Sequence, residues 1–281
     1  MCLFISSLNS GSNGNCYYIG NKNEAILVDA GISCRELVKR LKRLHLQVAK
    51  IKAVFVSHEH TDHIKGIEAF SKKYQVPVYI TPLTYHNSSL KIEKHLQFSF
   101  SPAEPVTVGN LCIIPFSKYH DAADPASFLI IYNNIRVGVF TDTGYACESL
   151  VSHFSQCHAA FLETNYDEKM LDEGNYPFAL KQRIKGKLGH LSNIQALELF
   201  RKHRPSHMSH LFLSHLSKNN NHPDLVAASF APHAGNVKII IASRYRETPV
   251  YEIYGSVVNK NIIKPLPRVA QQLSFFPETF V

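Results

Sequence analysis

The histidine-rich stretch at residues 57–63 (SHEHTDH) constrains the fold more than any other feature of the chain. It follows directly on residues 51–56 (IKAVFV), a pattern typical of a buried strand. An unpaired ionisable group is costly to bury inside a sheet. We therefore expect the cluster at the end of the strand, where an ion or a reacting group can use it. The alternative is a solvated loop that is merely rich in histidine.

The spacing within this stretch predicts ligands for metal ions. His58 and His60 stand two residues apart, which lets both rings point the same way from an extended backbone. Asp62 and His63 come next, where residues 64–70 are predicted to be helical. The stretch therefore offers two adjacent but separately aimed groups of nitrogen and oxygen ligands, which suits two ions better than one.

Composition limits the partners and the compartment. The chain has 281 residues, of which 45% are hydrophobic and 19% charged, as in ordinary globular proteins. No apolar run reaches the roughly 18 residues that span a bilayer, and no signal peptide is evident. Six cysteines without a C-x-x-C pair fit a reducing compartment, so we expect a cytoplasmic protein. The net charge of +8 favours a polyanionic partner, above all nucleic acid.

The order of predicted elements indicates an α/β fold in a single domain, residues 1–281. Strands are predicted at residues 3–5, 16–19, 25–28, 51–56, 77–80, 106–108, 111–114, 127–132, 135–140, 159–162, 211–213, 237–242 and 250–254. Helices are predicted after a capping box at residues 33–36, at 64–70, at 178–187 and, with Ser192 as N-cap, at 193–203. Strand–helix–strand alternation followed by hairpin signals favours two β layers. An irregular tail is predicted from about residue 264.

Polar residues lie where predicted strands give way to loops. They are Asp29, His58, His60, His120, Asp142, Glu163 and His215. This arrangement, with the motif H-x-H-x-D-H at residues 58–63, resembles the metallo-β-lactamase superfamily. The resemblance runs through nearly the whole chain. It implies an αββα sandwich of two mixed β-sheets flanked by helices, with a metal site at one edge between the sheets.

The resemblance also implies how the ligands divide between two divalent ions, Zn²⁺ or Mn²⁺. The ligands implied for the first ion are His58, His60 and His120. Those implied for the second ion are Asp62, His63 and His215. Asp142 would bridge both ions, and Asp29 would orient a ligand or its loop rather than bind metal. Neutral imidazoles and carboxylates suit both metals.

The later motifs are similar to those of the phosphodiesterase branch of the superfamily, which includes the tRNA-processing endonuclease RNase Z. They are YHDA at residues 119–122, TDTG at 141–144 and GHLS at 189–192. In that branch a glutamate and a histidine act as a pair, which implies that His190, supported by Glu163, protonates the leaving oxygen. A hydroxide held between the two ions would attack phosphorus, with Asp62 accepting its proton or orienting it. Alternatively, His190 is simply a histidine at a helix entry.

Three segments resemble the bacterial YycJ/WalJ family more closely. They are residues 7–15 (SLNSGSNGN), 120–125 (HDAADP) and 189–193 (GHLSN). Members of that family are regarded as 5′→3′ exodeoxyribonucleases, which implies a nucleic-acid partner, DNA rather than RNA. The alternatives are an RNA-processing nuclease of RNase Z type and a small-molecule acyl or thioester hydrolase. A further hypothesis is a metal-bearing module that binds without catalysis.

Two segments are candidates for holding the substrate backbone. The first, between the first two strands, is rich in residues that tolerate positive φ and could approach a phosphate, or could be a plain hairpin loop. The second heads the helix at residues 193–203. The candidate substrate-binding residues are Ser10, Gly11, Ser12, Asn13, Asn15, Ser192 and Asn193. The loop at residues 217–222 could also meet phosphates, or be solvated.

Overall fold

The computed structural model describes residues 1–255, which form fourteen strands and nine α-helices. The strands are β1 (Cys2–Asn9), β2 (Cys16–Gly20), β3 (Ala25–Val28), β4 (Ile51–Phe55), β5 (Val78–Tyr79), β6 (Gln97–Phe98), β7 (Val106–Val108), β8 (Leu111–Ser117), β9 (Ala126–Tyr132), β10 (Ile135–Phe140), β11 (Ala159–Glu163), β12 (His210–Ser214), β13 (Lys238–Ile241) and β14 (Tyr251–Tyr254). The helices are α1 (Cys34–Arg43), α2 (Thr61–Ile64), α3 (Ile67–Tyr74), α4 (Pro82–Asn87), α5 (Glu148–Phe154), α6 (Glu168–Glu173), α7 (Phe178–Lys185), α8 (Asn193–His203) and α9 (Pro223–Phe230).

The strands form two sheets of seven strands each. The first has the order β14-β1-β2-β3-β4-β5-β6, and the second has the order β13-β12-β11-β10-β9-β8-β7. In the first sheet, pairing is antiparallel from β14 to β3 and parallel from β3 to β6. In the second, pairing is parallel from β13 to β10 and antiparallel from β10 to β7. Both sheets are therefore mixed, as predicted.

Apolar side chains fill the space between the sheets and under the helices on both sides. The inner core lies between the sheets and includes Phe55, Phe128, Phe161 and Phe212, all fully buried. Helices α1 and α3 cover a second cluster on the first sheet, and α5, α8 and α9 cover a third on the second sheet. Burying one such side chain stabilises the fold by about 1.5–3 kcal/mol. The four layers confirm the predicted αββα sandwich.

Several predicted elements need correction. Strand β1 continues to Asn9 through residues expected to form a loop, because it pairs with β2 as far as Asn9 and Ser7 N donates to Thr248 Oγ1 at 3.0 Å. The helix predicted over residues 64–70 is two helices, α2 and α3. The chain breaks at Gly66 because it passes so close to the preceding loop that a Cβ there would lie 2.0 Å from Ile32 O.

The capping box predicted at residues 33–36 forms only in part. The Ser33 hydroxyl accepts from Glu36 N, but the Glu36 carboxylate accepts from Arg40 Nε at 2.9 Å instead of returning to the cap. At α8 the box is complete, with Ser192 as N-cap and Gln195 as its partner. Elements β6, α4, α5, α6 and α9 were not predicted, and the predicted tail lies outside the described residues. No described helix is long and apolar enough to cross a bilayer.

Candidate metal centre

A cavity of about 280 Å³ opens at the edge where the carboxyl ends of the central strands of both sheets meet. We call it the central cavity. Its polar lining includes His60, Asp62, His120, Asp142, His190 and His215. Parallel neighbours such as β3 with β4, and β10 with β11 and β12, end at the same side of their sheets. For this reason residues far apart in the sequence come together here.

Three site residues turn the chain sharply at strand ends. Asp29, Asp142 and His215 have φ values of 59°, 53° and 57°. A side chain with Cβ is disfavoured by about 1–2 kcal/mol in this left-handed region. Such conformations persist where the surrounding structure imposes them, and they cluster at functional sites. Here they follow β3, β10 and β12 and set the directions of the three side chains.

The first group of candidate ligands consists of His58, His60 and His120. Each offers one ring nitrogen, and these atoms lie within 4.8 Å of one another. His58 Nε2 is 3.1 Å from His60 Nδ1. His120 Nδ1 is 3.2 Å from Gly189 O, which leaves Nε2 for the cavity. The structure therefore brings together the three residues that the resemblance assigns to the first ion.

The second group consists of Asp62, His63 and His215, whose candidate ligand atoms also lie within 4.8 Å. Asp62 Oδ2 lies 3.7 Å from His63 Nε2 and 3.8 Å from His215 Nε2. The Asn15 amide donates to Asp62 Oδ2 at 3.3 Å and lies 3.0 Å from His63 Nε2. Asn15 therefore holds Asp62 and His63, the two candidate ligands of this second group that come from the histidine-rich stretch.

Asp142 lies between the two groups. Its Oδ2 is 3.2 Å from His63 Nε2, and its Oδ1 is 3.4 Å from His215 Nδ1. Asp142 also forms a cluster with His58 and His63 in which the candidate ligand atoms lie within 4.8 Å. Asp142 therefore contacts the second group directly and comes within 4.8 Å of His58 in the first, a position suited to a ligand shared by two ions.

The electrostatics of the two groups differ. Burial lowers the pKa of His58 well below its usual value and that of His120 to about 4, which keeps both rings neutral. Burial acts in the same direction at His215, but Asp142, Asp62 and Glu163 outweigh it and raise the pKa of His215 to about 10. At Asp62, burial is outweighed by His63 and His215, which lower its pKa to about 2. Since a ligating imidazole must be neutral, a metal ion that binds His215 displaces a proton.

Unsatisfied atoms provide a test of whether a cation fits. Of the buried side-chain atoms without a hydrogen-bond partner in the described residues, three lie at this centre: His120 Nε2, Asp142 Oδ2 and His215 Nε2. Leaving such an atom unpaired costs about 1–3 kcal/mol. All three offer a lone pair once the rings are neutral, and imidazole with carboxylate is a donor set that Zn²⁺ and Mn²⁺ accept. The residues present fit divalent cations.

Asp29 lies behind the ligands. Its Oδ2 accepts from His63 Nδ1 at 2.7 Å and from the Ser57 hydroxyl at 2.8 Å, and its Oδ1 accepts from Ser57 N at 2.8 Å. The carboxylate is fully buried and fixes the ring so that Nε2 faces Asp142 Oδ2 at 3.2 Å. Carboxylates that hold the second nitrogen of a ligating histidine in this way are a common support of metal sites.

Glu163 joins a candidate proton donor to a candidate ligand. Its Oε1 lies 2.8 Å from His190 Nδ1 and 2.9 Å from His215 Nδ1. Its Oε2 accepts from Thr143 N at 2.8 Å. Burial is outweighed by His190 and His215, so the pKa of Glu163 falls to about 2 and the group is a carboxylate at neutral pH. The structure thus brings Glu163 and His190 into direct contact.

Most of the candidate substrate-binding residues are engaged within the protein. The hydroxyl of Ser10 accepts from His215 N at 2.7 Å, and the amide of Asn13 donates to Arg244 O at 2.9 Å. Ser192 caps α8, and Asn193 is buried against Asn221. Gly11 is buried, and its N–H donates to the side chain of Asn15 at 3.0 Å. Ser12 is exposed and lines the central cavity.

Sequence reasoning missed the wall of the cavity that α7 provides. Leu180, Arg183 and Ile184 of α7 line it, together with Tyr176 just before the helix. Arg183 is held at the mouth by Asp121, which accepts from its Nε at 2.5 Å. The signal that could have found this wall is the run of basic residues at 181, 183, 185 and 187.

Comparisons with known proteins identify the family to which the chain belongs. The family model described as Metallo-beta-lactamase superfamily matches residues 10–168. The chain is 34% identical over 232 residues to a Bacillus anthracis protein named exodeoxyribonuclease YycJ, covering 82% of this chain and 88% of the relative. It is 31% identical over 225 residues to exodeoxyribonuclease WalJ of Streptococcus pneumoniae, covering 78% of this chain and 84% of the relative. It also resembles the solved structure of YhfI from Bacillus subtilis, a metallo-beta-lactamase fold protein, with a TM-score of 0.70, 18% identity and coverage of 89% of this chain and 99% of that one.

The family match, the two relatives and the fold lead to the same assignment. The structural similarity, at 18% identity, shows the fold alone. The chain belongs to the metallo-beta-lactamase superfamily and, within it, to the family of the YycJ and WalJ proteins. The resemblance drawn from the sequence motifs is therefore confirmed.

Proposed function

We propose that the protein is a metal-dependent nuclease that hydrolyses phosphodiester bonds, with DNA preferred over RNA. In this proposal it acts as an exodeoxyribonuclease in the 5′→3′ direction, the polarity that the sequence resemblance implies. The names of the two relatives support the exodeoxyribonuclease activity. The six free cysteines fit a cytoplasmic protein, since reduced thiols are typical of that compartment.

One observation carries the proposal. Three buried atoms without a hydrogen bond among the described residues, His120 Nε2, Asp142 Oδ2 and His215 Nε2, belong to residues that line one cavity, and His190, which Glu163 contacts at 2.8 Å, lines it too. Ligand atoms for cations and a group able to move a proton are therefore placed side by side. This is the combination that hydrolysis of a phosphodiester requires, because the attacking water must be activated and the leaving oxygen protonated.

Two divalent cations, zinc or manganese, would be held by the two groups of ligands described above. The residues for the first ion are His58, His60 and His120; those for the second are Asp62, His63 and His215; Asp142 would contact both. When bound, such ions lower the pKa of water and offset the charge that develops on the phosphate in the transition state.

Asp62 is the ligand carboxylate best placed to handle a proton. Its side chain is 24% exposed, whereas that of Asp142 is only 3% exposed. Asn15 holds one of its oxygens by a hydrogen bond of 3.3 Å, which fixes the orientation of the carboxylate. Asp62 can therefore accept a proton from the attacking water, or orient that water, without moving.

His190 is assigned as the general acid. Its Nδ1 hydrogen bond to Glu163 fixes the ring and leaves Nε2 to give a proton to the departing sugar oxygen. Its side chain is 21% exposed, so the ring can meet substrate, while Glu163 is fully buried and acts through His190. Glu163 is thus a positioning residue for both His190 and His215.

The experiment that tests this function is a hydrolysis assay with Zn²⁺ or Mn²⁺ added to metal-free protein. The substrates are single- and double-stranded DNA and RNA labelled at either end, with nitrocefin and a glutathione thioester as acyl substrates. We expect release of mononucleotides from DNA, starting at the 5′ end, and no turnover of the acyl substrates. Turnover of an acyl substrate without any nucleic-acid cleavage would contradict the proposal.

A pair of histidine variants controls for the ligand assignment. His58→Ala removes a candidate ligand, whereas His86→Ala removes an exposed histidine on α4. We expect the first to abolish hydrolysis with the fold retained, as judged by circular dichroism, and the second to behave as wild type. A metal-loaded His58→Ala protein that still cleaves DNA at the wild-type rate would remove His58 from the site.

A further inference from the structure

A second cavity, of about 420 Å³, adjoins the central cavity. Ser217 lines both, so the two cavities are neighbours at that residue. The second cavity is built by the loop after β12 and by the segment after β13. We call it the basic groove, and its characteristic residues are Lys218, His222, Arg244, Tyr245 and Arg246.

The charge of the groove has one sign. None of the residues that line it is a carboxylate, whereas Lys218, Arg244 and Arg246 are cations. Arg244 is engaged, since its guanidinium donates to Leu216 O at 2.5 Å. Lys218 and Arg246 are exposed and have no ion-pair partner within the part of the chain that the structure describes. Two free positive charges therefore line a cavity that neighbours the candidate metal centre.

Tyr245 adds an aromatic surface to these charges. Its side chain is 73% exposed, yet its backbone is held on both sides. Tyr245 N donates to the Ser243 hydroxyl at 3.1 Å, and the buried Arg40 donates to Tyr245 O at 3.2 Å. An aromatic ring presented to solvent on a fixed backbone is a platform that loses little entropy when something stacks on it.

We infer that the basic groove binds the nucleic-acid strand that extends from the bond being cleaved. Lys218 and Arg246 contact successive phosphates, and one base stacks on Tyr245. The inference rests on the proposed nuclease function and adds the path of the strand. Because the contacts are to phosphates and to a base face, the groove holds the strand without reading its sequence.

The test compares two groove variants of the full-length, metal-loaded enzyme with two controls. The groove variants are Tyr245→Ala and the double variant Lys218→Ala/Arg246→Ala. The matched controls are Tyr254→Ala, an exposed tyrosine at the far end of β14, and Arg201→Ala/Lys202→Ala, which removes two exposed cations near the end of α8. The substrates are a 20-nucleotide single strand, as DNA and as RNA, and bis-p-nitrophenyl phosphate, which is too short to reach the groove from the metal centre.

We expect Tyr245→Ala to raise KM for the strand by about 5- to 150-fold, the range that stacking of one base supports. The double variant should make the slope of log kcat/KM against log salt concentration less steep by about 1.4, as expected for two lost contacts to a single strand. Hydrolysis of bis-p-nitrophenyl phosphate should be unchanged in all variants. The DNA and RNA arms show which strand the groove prefers.

The outcomes separate the two proposals. If wild type cleaves the strand and the groove variants match their controls, the groove inference is overturned and the nuclease function stands. If wild type cleaves neither DNA nor RNA, both fall. If poly-glutamate inhibits strand cleavage as well as an oligonucleotide of equal charge does, and only when Lys218 and Arg246 are present, the groove is a site for acidic peptides and the inference is overturned.

Discussion

The central cavity and the basic groove share Ser217 but have opposite chemistry. Around the cavity, buried imidazoles and carboxylates hold one another at short distances, as in the contact of Glu163 with His190 and His215. In the groove, Lys218 and Arg246 are exposed and unpaired within residues 1–255. The difference indicates a division of labour: the cavity carries out the reaction, and the groove holds the substrate. Changes in the cavity should therefore lower kcat, and changes in the groove should raise KM.

The largest effect is expected from Asp142→Asn. The change keeps the size of the side chain but removes the charge beside His63 and His215. Since bound cations contribute several kcal/mol to the transition state, kcat should fall on the order of 10³-fold for the DNA strand and for bis-p-nitrophenyl phosphate alike. Metal content by mass spectrometry should fall with it. The control is Asp224→Asn, which changes an exposed carboxylate of α9. An Asp142→Asn protein with wild-type kcat would contradict the assignment of Asp142 as a shared metal ligand.

His190→Ala should produce the next largest effect, and one that depends on the leaving group. A general acid contributes roughly 10²- to 10⁴-fold, so kcat for DNA should fall by that factor. Hydrolysis of bis-p-nitrophenyl phosphate should change little, because p-nitrophenolate leaves without a proton. Kinetics on both substrates, with His86→Ala on α4 as the control, checks this. Equal losses on the two substrates would show that His190 is not the acid.

Asp29→Asn should act on metal affinity rather than on the reaction itself. Asp29 holds His63 Nδ1 at 2.7 Å, and loss of such a support typically weakens metal binding by about 10- to 100-fold. Metal titration should show this shift, and excess metal should restore kcat to near the wild-type value. A kcat that stays low at saturating metal would mean that Asp29 does more than orient His63.

The smallest effect is expected for the coupling energy between the central cavity and the basic groove, which should be close to zero. Asp29 contacts Ser57 and His63, while Lys218 has no side-chain partner among the described residues. The effects of Asp29→Asn and Lys218→Ala on kcat/KM should therefore add to within about 0.5 kcal/mol. A double-mutant cycle measures this additivity. A larger coupling energy would show that substrate binding in the groove and the reaction in the central cavity are not independent.

The histidine-rich stretch could be predicted from the sequence because its four candidate ligands are nearly contiguous. The spacing of His58 and His60, and a strand directly before them, already imply a cluster at a strand end. The distant ligands His120, Asp142 and His215 needed the family motifs, because their approach depends on how two sheets pack. The left-handed turns at Asp142 and His215 leave only a weak signal in the sequence, since aspartate and histidine adopt this conformation more often than most residues but usually lie outside it.

Substrate contacts could not be predicted from the sequence, because the sequence does not show which hydrogen-bond partners a polar side chain has in the folded protein. A loop rich in serine, glycine and asparagine can face a ligand or brace the protein, and the composition is the same in both cases. Here Ser10 braces His215 and Asn15 braces the histidine-rich stretch. Lys218, Tyr245 and Arg246 line the same groove although β13 lies between them in the chain. Because they are far apart in sequence, the sequence alone does not predict that they come together.

The most direct test of the account is a titration of metal-free protein with Zn²⁺ or Mn²⁺ in which bound metal and DNA cleavage are measured on the same sample. The account predicts that cleavage rises with bound metal and levels off at two ions per chain, and that a chelator abolishes it. Cleavage that persists in metal-free protein, or that does not follow bound metal, would contradict it.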